Sequence, residues 1–410
     1  MSRGQAACCV IVGTGHAGAR AAMRLRRLGW DKAIALIGEE DCLPYHRPPL
    51  SKDYLKGGKS IEAIQIASAT SFDKAEVEIR LAQRVVRIDR ANKRVELDTG
   101  RTVAYDKLLL AIGARPKALS LPGAHLKGVH YLRNANDVDR IRAAVRTGGQ
   151  AIVIGGGYIG LEVAASLRHL GMQVTVLEVL DRVLKRVTSE PLSRFFSRIH
   201  GEEGAIIRTG AGVEAIVGED VVRGVQVSAT EVLDADIVII GIGVRPNTEL
   251  AEEAGLEIAD GIVVDEFART SDPDIYAAGD CACFRHPDFE GRIRLESVQN
   301  AHDQAVIAAS AISGKPVPYD AVPWFWSDQY DVKLQIAGLA VPGAEIIVRG
   351  DPAEGRNLTV IHLKDGRLVA IDAANNPRDF VQGGKLIAGH AMLDPAKASD
   401  PSLELAQLAV

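Results

Sequence analysis

The sequence contains no Cys-x-x-Cys and no Cys-x-x-x-x-Cys. Its five cysteines, Cys8, Cys9, Cys42, Cys281 and Cys283, are odd in number. They fit neither a disulfide framework nor a dithiol redox pair, and they suggest a reducing compartment. No metal site is expected. No apolar run approaches the roughly 18 residues that cross a bilayer. The opening MSRGQAACCVIVG runs directly into an apolar strand pattern and leaves no room for a secretion signal. A cytoplasmic location and no membrane partner are expected. Net charge is −5, which supplies no positive excess to track phosphates, so nucleic acid is not an expected partner. The basic run Arg80, Arg84, Arg87, Arg90, Lys93 and Arg94 reads as a solvated face. Aromatic residues are only 5% of the chain, so the run Trp324-Phe325-Trp326 stands out.

What the sequence does have is length, glycine and repetition. Its 410 residues exceed one ordinary core, so two or three domains are expected. Many of the 40 glycines sit where an apolar run meets a helical pattern. One such passage is CCVIVGTGHAGARAAMRLRRLGW followed by AIALIGEE. A second, QAIVIGGGYIGLEVAASLRHLG followed by QVTVLEV, repeats its logic. Each reads as a buried strand, a glycine turn, a helix and a second strand closed by an acid, the start of a βαβ unit. Two further apolar runs, YDKLLLAIGARP and ADIVIIGIGVRPN, look like matched exits from the two units. A short strand is expected in IYAAGD and a helix from about Ser297 to Ser313. Beyond Pro323 the pattern changes to short strands, LQIAGL, EIIVRG, NLTVIHL and RLVAIDA, and the closing LELAQLAV reads as a short amphipathic helix.

The glycine turns carry the chemistry. In Gly13-Thr-Gly15-His-Ala-Gly18, Gly13 serves the tight turn and Gly15 lets backbone approach a pyrophosphate. Gly18 lets the helix lie close to the strand, and the phosphates meet the helix N-terminus. Glu39 ends the next strand, placed to accept ribose hydroxyls. The second fingerprint is Gly155-Gly-Gly157-Tyr-Ile-Gly160, with Glu178 ending QVTVLE. An acid there accepts a free 2′-hydroxyl and repels a 2′-phosphate, which favours NADH over NADPH. Arg182, Lys185 and Arg186 follow closely and work against that preference, either lining a pyrophosphate or lying on the surface. Two dinucleotide folds in one chain are best explained by a held FAD and a transient NADH, since a flavin converts a hydride into single electrons. Asp280, in Ala-Ala-Gly-Asp, is placed either to reach the ribityl chain of FAD or simply to cap a turn.

The segments GTGHAG, RPPLSKDYL, LLLAIGARP, GGGYIGLEVA, GIGVRPN, TSDPDIYAAGDCA, ESVQNA and PWFWSDQY occur in an order that resembles the ferredoxin reductases of bacterial oxygenase systems, over nearly the whole chain. The resemblance implies an α/β protein with two Rossmann-like dinucleotide-binding domains, arranged as in glutathione reductase, plus a C-terminal α+β domain. The FAD-binding domain is split as 1–112 and 245–322, the NAD-binding domain is 113–244, and the C-terminal domain is 323–410. The implied activity is electron transfer from NADH through FAD to a 2Fe–2S ferredoxin, which supplies a haem monooxygenase or a Rieske-type oxygenase.

The resemblance also implies residue roles. Gly13, Gly15, Ala17, Gly18, Glu39, Lys52, Val85, Arg133, Asp280 and Val298 would hold FAD. Gly155, Gly157, Ile159, Gly160, Glu178 and Gly243 would hold NAD. Lys52 would lie near flavin N5, with Glu162 beside it where the nicotinamide stacks. Lys52 and the helix N-terminus at Val298 would stabilise negative charge on the reduced ring. Pro49 stands where related peroxidases carry a redox cysteine, which leaves Cys42 a bystander, and Cys281 and Cys283 read as packing residues. Trp326 is either core packing or part of the electron exit. His46 stands where an acid is common, and His16 stands where an apolar residue is usual. An NADH oxidase, a rubredoxin reductase and a redox-signalling flavoprotein resembling apoptosis-inducing factor are the competing readings of the same fold.

Overall fold

The computed structural model describes residues 8–409. The opening residues, on which the absence of a secretion signal was expected, lie outside that range. By their contacts the described residues form two units. The first runs to Arg47 and continues through Ile61–Arg115 and Arg245–Ala321; the second comprises Pro48–Ser60, Pro116–Val244 and the chain from Val322 onward.

The first unit is built on five parallel strands in the order Ile275–Ala277, Lys107–Leu110, Cys8–Val12, Ala33–Ile37 and Val77–Arg80. Four of the strands are short, largely apolar runs because both faces are covered, whereas the edge strand Val77–Arg80 is partly exposed. One face carries the helices His16–Arg27 and Val298–Ile312. Ala19, Ala21 and Ala22 on the first, with Ala305, Ala308 and Ala309 on the second, are buried in one core cluster, and their small side chains let the two helices approach closely. The expected helix from about Ser297 is present, and the Ser297 hydroxyl caps it by accepting the Asn300 amide at 3.1 Å. On the other face the three-stranded antiparallel sheet of Val85–Asp89, Arg94–Leu97 and Thr102–Ala104 shares a second core cluster with the central strands. Within the basic run that leads into these strands, Arg80 pairs with Glu78, Arg90 with Asp272 and Lys93 with Asp274.

The second unit repeats the plan. Its parallel sheet has the order Ile206–Thr209, Gln173–Glu178, Gln150–Ile154, Ile237–Ile240 and Val129–Tyr131. The helix Tyr158–His169 leaves the second fingerprint. An antiparallel sheet in the order Trp324–Gln329, Val332–Gly338, Arg367–Ala374, Leu358–Lys364 and Glu345–Arg349 belongs to the same unit. The contacts thus draw the units differently from the three-part division expected from sequence. The segment Pro48–Ser60 joins the second unit because Ser51 and Lys52 bond to Glu162, and the Ser166 hydroxyl donates to the Ser51 carbonyl at 2.6 Å. The antiparallel sheet joins it through buried polar links such as Thr188 to Asp372 at 3.1 Å. The closing segment forms not an amphipathic helix but one 3-10 turn, Leu405–Leu408, whose two leucines fill the core under that sheet.

Candidate active site

In the first unit, the fingerprint glycines have separate reasons to be glycine. Gly13 has φ +111°, and a Cβ there would lie 2.1 Å from the Ala111 carbonyl oxygen. A Cβ on Gly18 would lie 1.9 Å from the Gly13 oxygen, so the helix can rest on the strand only without a side chain. Above Gly15 there is nothing within 4 Å, which leaves the free amides of the helix N-terminus open to an anion. Glu39 is exposed just past the end of the second strand. The turn before Asp280 passes against the same helix: a Cβ on Gly279 would be 3.3 Å from that of Ala17. The Gly279 amide is held by Gln304 at 2.8 Å. Val298 opens a second helix in this unit. An open helix N-terminus at Gly15, an exposed acid and a close-packed glycine turn suit an extended dinucleotide such as FAD. Val85 is 7% exposed and packed into the core cluster. Arg133 and Lys52 belong to the second unit, Arg133 directly before the Asn134 cap of the helix Ala135–Ala144.

The second fingerprint has the same construction. Gly155 has φ +109°, and its Cβ would meet the Gly241 oxygen at 2.4 Å; that of Gly160 would meet the Gly155 oxygen at 2.1 Å. Gly157 is open, and the neighbouring Ile159 is 46% exposed. The Glu178 carboxylate is nearly buried and accepts the Gly156 amide at 2.8 Å and the Leu180 amide at 2.9 Å. Of the three cations that follow, Arg182 is engaged by protein groups. Its guanidinium donates to the Ser193 hydroxyl and the Thr188 carbonyl and so ties the intervening loop to the helix Glu190–Glu202. Lys185 pairs with Asp181, and Arg186 lies over Gly243, where a Cβ would be 3.4 Å from its guanidinium.

The chemistry-bearing pair sits in this unit. Lys52 Nζ is 2.7 Å from Glu162 Oε2, with side chains 15% and 2% exposed. Pro48 and Pro49 begin the 3-10 turn Pro48–Ser51, and Lys52 follows directly. The Ser51 hydroxyl donates to Glu162 Oε2 at 2.5 Å, and the Ser327 hydroxyl donates to Oε1 at 2.7 Å. A carboxylate buried this deeply is tolerable only with such partners. Sequence reasoning missed Ser327. The signal was there: in Trp324–Gln329 alternate residues share a face, so Phe325, Ser327 and Gln329 point one way and Trp324 and Trp326 the other. Phe325 lies against Tyr158, ring centroids 4.7 Å apart; Ser327 meets Glu162, and Gln329 meets His200. The Tyr158 hydroxyl is buried with no hydrogen-bond partner among the described residues, and burial pushes its pKa up. Trp326 is half-buried and stacks on Trp324 at 5.5 Å, and Trp324 is 39% exposed.

The two departures meet in the first unit. His16 Nε2 lies 3.3 Å from His46 Nδ1, a pairing that sequence reasoning did not foresee. Cys281 and Cys283 are buried free thiols, Cys42 is half-buried, and burial raises the pKa of all three. In each, burial outweighs the neighbouring groups that lower the pKa, so none has the lowered pKa of a reactive thiol. Among the described residues, no group of three or more His, Cys, Asp or Glu is arranged to hold a metal, and no helix is long and apolar enough to cross a membrane.

Paired dinucleotide folds with a buried lysine–carboxylate pair and no redox thiol define an oxidoreductase that works through nucleotide cofactors. Residues 8–305 match the model of the pyridine nucleotide-disulphide oxidoreductase family, and 324–409 match that of the reductase C-terminal domain. The chain belongs to the pyridine nucleotide-disulphide oxidoreductase family, among its ferredoxin reductases. It is 44% identical to the 5,5′-dehydrodivanillate O-demethylase ferredoxin reductase subunit of Sphingobium sp., over 98% of each chain. It is 40% identical to putidaredoxin reductase of Pseudomonas putida, over 97% of this chain and 96% of that one. Among solved structures, the reductase of the covalent putidaredoxin reductase–putidaredoxin complex superposes with a TM-score of 0.94 at 39% identity, covering 98% of both chains.

Proposed function

We propose that this chain is an NADH-dependent, FAD-containing reductase that passes electrons to a 2Fe–2S ferredoxin serving a haem monooxygenase or Rieske-type oxygenase in the cytoplasm. The observation that carries the reading is the buried Lys52–Glu162 pair next to an open nicotinamide-nucleotide fingerprint, with proline at position 49 where peroxidase chemistry needs cysteine. The full-length likeness to ferredoxin reductases supplies the acceptor class. FAD, when bound, supplies a hydride acceptor that releases electrons singly.

The chain's own residues bind, orient and balance charge. Gly13 makes the turn, its own amide held by the Ile37 carbonyl, so that Gly15, Ala17 and Gly18 bring the helix N-terminus to the FAD pyrophosphate; Glu39 is the ribose acceptor, and Asp280, Val298, Val85, Arg133 and Lys52 supply the remaining contacts. Gly155, Gly157, Ile159, Gly160, Glu178 and Gly243 receive NADH. The Lys52 ammonium, held by Glu162, lies ready to balance charge gained on hydride transfer. The split FAD domain (1–112 and 245–322), the inserted NAD domain (113–244) and the C-terminal domain (323–410) form part of the same reading. The test is NADH-driven reduction of cytochrome c with and without candidate 2Fe–2S ferredoxins. Strong ferredoxin-dependent turnover is expected; turnover equal without any ferredoxin would refute the acceptor assignment.

A further inference from the structure

A single file of hydrogen bonds leads away from Glu162 through the second unit. The Ser327 hydroxyl donates to Glu162 Oε1 at 2.7 Å, and Gln329 Nε2 donates to Ser327 Oγ at 3.1 Å. Gln329 Oε1 lies 2.9 Å from His200 Nε2, and His200 Nδ1 lies 3.3 Å from the Tyr330 hydroxyl. Glu162, Ser327, Gln329 and His200 are all no more than 2% exposed, whereas Tyr330, in the turn after the strand, is half-buried. None of these contacts belongs to the nucleotide fingerprints, and together they join residues as far apart in sequence as Glu162 and Tyr330.

Within the file each group gives on one side and accepts on the other, so the direction of the whole file is one choice. With the His200 proton on Nε2, the Gln329 carbonyl must face the imidazole and its NH2 must face Ser327. The Ser327 hydroxyl proton then turns to Glu162. With the proton on Nδ1 every link reverses: His200 accepts from Gln329, Gln329 accepts from Ser327, and Ser327 turns bare lone pairs toward the carboxylate. A buried carboxylate cannot tolerate that, whereas a protonated carboxyl would donate into it. The two directions therefore correspond to the two protonation states of Glu162. Burial keeps the imidazole itself neutral, its pKa pushed down to about 4, so it serves as an oriented dipole rather than a charge.

We infer that His200 is a positioning residue for Glu162: acting through Gln329 and Ser327, it fixes the direction of the file, keeps Glu162 ionised, and thereby holds the Lys52 ammonium at its post. This rests on the reading of the Lys52–Glu162 pair as the hydride-transfer site. The charged and titratable groups that bear on Glu162 are Lys52, from the turn before it, and Tyr158, from its own helix. Those that bear on His200 are Glu203, just past its own helix, and Tyr330.

The experiment follows the carboxyl absorption of Glu162 by infrared difference spectroscopy across pH on the flavin-loaded protein, with Glu162→Gln assigning the band. NADH-driven flavin reduction is measured in parallel by stopped flow. In His200→Leu the protonation midpoint should rise by about one pH unit or more, a tenfold change equal to about 1.4 kcal/mol. The acid limb of the reduction rate should move with it. Ser327→Ala removes the last donor with little loss of volume and should give the same shift. His200→Gln, an amide able to donate to Gln329 and accept from Tyr330, should restore both readouts. A midpoint and acid limb unmoved in both His200→Leu and Ser327→Ala would overturn the inference. Should Glu162→Gln reduce its flavin at the wild-type rate at every pH, the hydride-site reading fails instead, and the infrared midpoints still decide whether the file controls Glu162.

Discussion

Glu178 and Gly156 are joined by a 2.8 Å hydrogen bond from the glycine amide to the carboxylate, and the other carboxylate oxygen takes the Leu180 amide. The negative charge is thus fixed at the end of its strand, with lone pairs left for a ribose hydroxyl. NADH should be preferred to NADPH, and Glu178→Ala should narrow the ratio of their kcat/KM values. A wild-type preference for NADPH would refute this role.

Lys52 has its ammonium held by Glu162 in a site only 15% exposed. Lys52→Met should slow NADH-driven flavin reduction by about tenfold or more, the effect of losing about 1.4 kcal/mol of charge stabilisation. Stopped-flow absorbance reads this directly, and an unchanged rate would remove Lys52 from the chemistry.

The purified protein should be yellow, with one non-covalent FAD per chain. Gly18→Ala forces a Cβ to within 1.9 Å of a carbonyl oxygen, and should cost roughly 1–3 kcal/mol of stability together with flavin. The absorbance ratio and Tm measure both. Full flavin content and an unaltered Tm in this variant would show that the helix does not need to rest on the strand.

His200 also predicts a pH dependence of stability. Its folded pKa is depressed to about 4 from 6.5 by burial. The unfolded chain therefore takes up a proton between those values that the folded chain refuses, and stability rises with pH through that window. Between pH 6.5 and 4 about 3 kcal/mol should be lost on this account. Denaturant midpoints for wild type and His200→Gln compare the slopes; equal slopes would contradict the assignment.

Ferredoxin encounter should depend on salt. The chain is itself net negative at −5, so docking an acidic partner requires local positive charge, which salt screens over about 10 Å at 0.1 M. Ferredoxin reduction should slow with salt while ferricyanide reduction changes little. Equal slowing of both would count against a charged docking patch. Trp326→Ala should impair the ferredoxin reaction more than the ferricyanide one.

Both fingerprints, with their glycine turns, following helices and terminal acids, were legible because their spacing is local: Gly18 answers to the Gly13 carbonyl and Gly160 to the Gly155 carbonyl in the same βαβ unit, whereas the carbonyls that crowd Gly13 and Gly155 come from distant strands. The lysine–glutamate pair was legible only through resemblance, because 110 residues separate Lys52 from Glu162. His200 escaped notice altogether, since nothing near it in sequence announces Gln329. The aromatic run was recognised as unusual without its strand period being used, and that period separates the stacked tryptophans from the face carrying Phe325, Ser327 and Gln329. For Arg182 the sequence left a pyrophosphate ligand and a surface charge both open, because it gives the charge but not the Ser193 hydroxyl and Thr188 carbonyl to which the guanidinium donates.

The interleaving of the two units bears on the order in which the chain can fold. Lys107–Leu110 pairs with Ile275–Ala277, about 165 residues downstream, so the first sheet cannot be completed until most of the chain has left the ribosome. The segment Pro48–Ser60 emerges early but finds its partners only after Glu162 and Ser166 exist. Domain-by-domain maturation from the N-terminus is therefore closed to this protein. Its long-range strand pairing should make refolding slow and leave nascent chains dependent on protection from aggregation.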